Sequence, residues 1–179
     1  MPPFTLRRFA EPVSLADWAE LQAEARRLEV LVLHACSLDT LAGLPSALPA
    51  LIELNLSSNN LSSLATVGRR GMASLRKLDL SSNRLRGAAF LPGNGGLGGC
   101  FFPALEQLLV PYNGVTSLEG IGAVAPQLLE LDARSNRLQS GVESLQQLRV
   151  LPVLKRLELR SKQQKGRERA ALHIFPDCP

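Results

Sequence analysis

One pattern, Leu-x-x-Leu-x-Leu-x-x-Asn-x-Leu, recurs along the chain and leaves few folds open to it. Four nearly complete copies start at Leu51, Leu75, Leu105 and Leu128, with Asn59, Asn83, Asn113 and Asn136 in the ninth place. Degenerate copies start at Leu28 and Leu154, with Cys36 and Lys162 in that place. Successive starts are 23, 24, 30, 23 and 26 residues apart. A fixed period of this size means stacked units that bury their apolar faces against each other.

Each part of the pattern has a physical reason. In Leu-x-Leu the two side chains leave a short strand on the same side, because strand side chains alternate with period two. They face the core, and the residues between them face out. Strands of successive units then pair in parallel into one curved sheet of about six strands. The Asn turns the chain, and its amide is expected to bond the backbone of its own loop and of the next repeat. Cys36 reads as a small buried residue in the same slot; Lys162 marks where the ladder of amides ends. Apolar residues three apart, as in Leu38, Leu41 and Leu44 or Val115, Leu118 and Ile121, predict short helical turns on the convex side.

The ends need covers. Ser14 followed by Asp17 predicts a capped helix over 14–27, with Trp18, Leu21, Ala25 and Leu28 facing inward. Residues 1–13 read as disordered. The repeat domain spans 14–161, and 162–179 read as a basic tail or an incomplete cap. Residues 87–99 hold six glycines and lengthen one unit, which predicts a flexible surface insertion. Gly93, Gly95 and Gly98 match a dinucleotide-binding spacing, but no strand-loop-helix context surrounds them.

The pattern is that of the leucine-rich repeat. Over residues 28 to about 160 the chain resembles the short-repeat class of intracellular leucine-rich repeat proteins. That class includes the regulatory subunit of nuclear protein phosphatase 1, the acidic leucine-rich nuclear phosphoproteins, a spliceosomal A-prime protein and an axonemal dynein light chain. The resemblance implies an α/β solenoid that acts as a protein-binding adaptor. It also implies a long penultimate repeat (Leu138 to Leu154) and a C-terminal cap, for which the segment from Arg169 to Pro176 is the partial counterpart.

Nothing converges into a catalytic set. The two histidines, His34 and His173, are far apart, and no metal-ligand or nucleophile motif is present, so neither enzyme activity nor a cofactor is expected. The three cysteines are scattered and odd in number, and the N-terminus lacks an apolar signal core. These features predict a cytoplasmic or nuclear protein, with the cilium open through the dynein resemblance. No apolar run is long enough to span a bilayer.

The outward slots define the expected binding face: Glu53, Asn55, Lys77, Asp79, Gln107, Leu109, Pro111, Tyr112, Glu130, Asp132 and Arg134. Its acidic members predict a basic or mixed-charge protein partner. Leu109 beside Tyr112 reads as an anchor, because an exposed leucine on a sheet face calls for a cover. The alternative partner is RNA. Residues 149–179 carry eight basic and three acidic side chains, against 12 and 13 in the remainder. Arg160, Lys162, Lys165, Arg167 and Arg169 would make that contact electrostatically. Neither a membrane nor a small-molecule substrate is expected.

Overall fold

The computed structural model of the chain describes residues 4–64, 72–138, 145–159 and 171–173. Its elements in order are β1 (Phe4–Phe9), α1 (Leu15–Glu24), β2 (Leu28–His34), β3 (Glu53–Asn55), β4 (Lys77–Asp79) and β5 (Arg86–Gly87). They continue with β6 (Gln107–Leu109), β7 (Gly114–Val115), α2 (Ile121–Val124), β8 (Glu130–Asp132), a 3-10 turn at Leu148–Val150, β9 (Arg156–Glu158) and β10 (Ala171–His173).

Eight strands form one sheet in the order β1-β2-β3-β4-β6-β8-β9-β10. The first seven are parallel, and β10 closes the sheet antiparallel to β9. The register is that of the repeat. Leu31, Leu54, Leu78, Leu108, Leu131 and Leu157 stand side by side and are buried. The sheet is thus two strands wider than the repeat count. β5 and β7 form a second, two-stranded sheet at the far side of the turns.

The asparagines carry the stacking. Asn59 Nδ2 donates to Leu33 O (2.7 Å) and Leu56 O (2.9 Å), and its Oδ1 accepts from Leu38 N (3.0 Å). Asn83, Asn113 and Asn136 repeat this arrangement with Leu56 and Leu61, Leu80 and Leu85, and Val110 and Val115. The bonds run back to the preceding repeat, not on to the next one as the sequence reading had it. The turn before each Asn explains the direction. Ala35, Ser58, Ser82, Tyr112 and Ser135 all adopt φ of 54–58°. This left-handed step swings the ninth residue under the sheet, toward the strand already laid down. Cys36 takes the slot with its Sγ donating to His34 O at 3.3 Å, and it is buried.

Two expectations are corrected. The stretch expected to be disordered contains β1, which pairs parallel to β2 with α1 as the crossover. Leu6 is buried at its centre while Thr5 and Arg7 point outward, the alternation of a half-buried strand. The helix itself starts as expected. Ser14 Oγ accepts from Asp17 N (3.2 Å), and Ser14 N donates to the Asp17 carboxylate (2.9 Å). Trp18 packs onto the core over Gly43, where a Cβ would stand 2.6 Å from the indole.

The second correction is the glycine-rich segment, which is core structure rather than a flexible insertion. Ala89, Phe90 and Leu97 are fully buried, and Phe90 is among the largest side chains enclosed. Leu64 N donates to Gly96 O (2.7 Å), and Leu97 N to Ala89 O (2.7 Å), so the segment ties the convex side of one repeat to the next. The glycines permit that close passage: a Cβ on Gly98 would overlap Leu91 O, and one on Gly96 would overlap Ala89 O.

Candidate protein-binding face

The concave face is built from the outward residues of the parallel strands. Glu53, Lys77, Gln107, Glu130 and Arg156 form one row in direct register, and Asn55, Asp79, Leu109, Asp132 and Glu158 form the next. All except Arg156 are half-buried; Arg156 is exposed.

Most of the charges in these rows are answered within the face. Lys77 Nζ meets Glu53 Oε1 at 3.0 Å, and Gln107 Nε2 donates to Glu130 Oε2 at 3.3 Å. Arg134 holds Asp132 through Nε and one terminal nitrogen (3.0 and 2.7 Å), and reaches Glu158 at 3.1 Å with the other. Arg156 pairs with Glu158 at 2.9 Å. The hydrogen bond to Asp132 raises the Arg134 pKa above its ordinary value; burial opposes it, and the charges of Asp132 and Glu158 add to the rise. Asp79 has no ion pair among the described residues.

The second row also has a structural duty that the sequence reading missed. Asn55 Oδ1 accepts from Ser57 N and Asp132 Oδ1 from Arg134 N, at 2.9 and 3.0 Å; Asp79 Oδ1 does the same for Ser81 N at 2.9 Å. Each side chain thus satisfies the N–H two residues on, just before the left-handed turn. Leu109 cannot accept a hydrogen bond. The residue two places on is Pro111, which has no N–H to offer. Both halves of the motif are replaced together, and the row of polar side chains opens into an apolar spot.

Leu109 stands between Asp79 and Asp132 in the sheet register. It forms one wall of an open depression of about 260 Å³ whose other sides are Glu130, Asp132, Arg134, Arg156 and Glu158. The glycine-rich segment lies with the convex loops around Ser62 and Leu64. Tyr112 is 58% exposed at the end of the same repeat. Its backbone is in the left-handed region, which a bulky side chain rarely occupies.

One expected member of the face is placed otherwise. Pro111 is buried between its neighbours in the seventh slot, Ser81 and Arg134, and presents no ring to a partner. At the N-terminal end Val32 and Ser57 are buried too. Val32 is flanked by Arg7 of β1, a strand the sequence reading did not include, and by Asn55; Ser57 Oγ is enclosed by His34 Nδ1 (2.7 Å) and Asn55 Oδ1 (2.6 Å). Arg160, Lys162, Lys165, Arg167 and Arg169, named for RNA contact, lie outside the described residues.

Sequence reasoning missed one grouping. Arg84, Arg86 and Arg137 line a common groove with Tyr112. Aligning the residue after each Asn would have shown Arg84 and Arg137 in equivalent places on either side of Gly114.

Cys100 is buried, its thiol pushed up to about 11 by burial. Among the described residues no group of His, Cys, Asp and Glu could hold a metal ion, and no helix is long and apolar enough to cross a membrane.

The repeat geometry agrees with the comparison against known families. Leucine rich repeat families match over residues 26–85 and over residues 74–120. The chain carries leucine-rich repeats, folded as an α/β solenoid. Such repeats generally mediate protein–protein interaction and are typically non-enzymatic. No match was found among the curated proteins.

Proposed function

We propose that the chain is a non-catalytic adaptor whose concave sheet receives an extended segment of a partner protein, with Leu109 as the anchor. The observation that carries this reading is the joint replacement at Leu109 and Pro111. Asn55, Asp79 and Asp132 each have a backbone donor to satisfy; Leu109 has none, and it leaves an apolar spot flanked by Asp79 and Asp132. A partner residue that covers Leu109 gains buried apolar area, and basic residues on either side of it meet carboxylates. Asp79 supplies the selecting charge, because Lys77 and Arg134 already answer Glu53 and Asp132. The partner segment is therefore an apolar residue flanked by lysine or arginine.

The resemblance to the short-repeat intracellular class supports an adaptor of the cytoplasm or nucleus. So does the buried thiol of Cys100.

Selection of displayed random peptides on the full chain tests the reading. The enriched sequences are expected to share an apolar residue with flanking basic ones, and to bind Asp79→Asn about tenfold more weakly. Asn55 shows that Asn preserves the local hydrogen bond, so this variant removes charge alone. Acidic or patternless sequences, or full binding to Asp79→Asn, contradict it.

A further inference from the structure

A second polar surface lies where the chain turns after each strand, outside the concave rows. Arg84 and Arg137 each follow a ladder asparagine, and Gly114 follows the ladder asparagine between them. Pairing of β5 with β7 sets Arg86 against Gly114, while Arg137 N donates to Val115 O at 2.9 Å. The backbone thus delivers three arginines to one groove of about 360 Å³, bordered by Tyr112 and Thr116. All three are exposed, and none has an ion pair among the described residues. Gly114 keeps the floor low, since a Cβ there would stand 3.2 Å from Arg86 Cγ and from Leu85 O.

Gathered guanidiniums without a counter-charge make an anion site, and their forked donors suit phosphate oxygens. A phosphate monoester offers three terminal oxygens and nearly two charges, which three arginines match better than the two oxygens of a carboxylate. We propose that this groove binds a phosphorylated side chain of a partner protein, held by Arg84, Arg86 and Arg137. A nucleic-acid strand fits less well. Only Tyr112 among the lining residues could stack on a base. A single phosphate on a polypeptide needs no stacking platform, only the forked donors that the three arginines offer.

Titration of the isotope-labelled full chain, followed by NMR, tests this with three probes: N-acetyl-O-phosphoserine amide, its unphosphorylated form, and octauridylate. The phosphorylated probe is expected to move the Gly114 and Thr116 amides and to bind at least about tenfold more tightly than the unphosphorylated one. Arg84→Gln with Arg137→Gln should reduce that preference to near unity, and Arg86→Gln alone should weaken it. These are exposed positions, and a thermal melt of each variant checks that the fold is kept. The amides of Asp79 and Leu109 should stay still, which separates this result from that of the concave face. Equal response to the two serine probes, or undiminished binding by the variants, overturns the proposal. So does tighter binding of octauridylate at equal phosphate concentration, which assigns the groove to nucleic acid.

Discussion

Asn83 Nδ2 donates to the carbonyl oxygen of Leu56, one repeat upstream, at 2.9 Å. The same side chain takes the N–H of Leu61 at 2.9 Å and donates to Leu80 O at 3.1 Å. One amide therefore satisfies three backbone groups from two repeats in a buried place, where an unmet donor or acceptor costs about 1–3 kcal/mol. Asn83→Ala should destabilise the chain by about 3 kcal/mol in urea unfolding. Asn60→Ala, a half-buried residue beside the ladder, should stay within about 0.5 kcal/mol. Equal effects would remove the ladder from the account of stacking.

Phe90 is the main tooth of the convex side, contributed by the glycine-rich segment. Phe90→Ala should cost about 3–5 kcal/mol, as in other enclosed aromatic truncations. Calorimetric melting of the variant gives the value. A cost under about 1 kcal/mol would restore the segment to the surface, where the sequence first placed it.

Cys100 gives a pH signature. Its thiol is held neutral by burial, with its pKa up to about 11 from 9.0. A folded-state pKa above the unfolded one stabilises the fold fully below pH 9.0 and loses that contribution as pH rises toward about 11. The stability of the parent chain against urea should therefore fall off more steeply with rising pH across that window than that of Cys100→Ala. Below the window the thiol should resist alkylation until the chain is unfolded. Parallel stability curves across the window would contradict the burial.

The sequence was most informative where one residue type carries one duty. The leucines placed the strands and set their register, because a slip by one residue would turn each of them to the solvent. The asparagines marked the turns. β1 escaped notice because a single enclosed leucine, Leu6, is too little alternation to mark a strand, and its parallel partner lies a whole helix away. Gly96 and Gly98 read as loop residues, although they are small because Ala89 and Leu91 pass close by. On the concave face the slots were legible but their partners were not. The Asp132–Arg134 pair, the enclosure of Pro111 and the meeting of Arg84, Arg86 and Arg137 all depend on how neighbouring repeats sit together.

The central claim is that a partner segment closes over Leu109. Titration calorimetry of a selected peptide with the parent chain and with Leu109→Ala tests it most directly. Leu109 is only half-buried and stands on the outward side of its strand, so truncation removes apolar area without adding a charge between Asp79 and Asp132, and a thermal melt checks that the fold is kept. The account predicts that affinity drops at least about tenfold while the melting temperature holds. A peptide that binds both chains equally well would show that the hollow of the sheet is not where the partner sits.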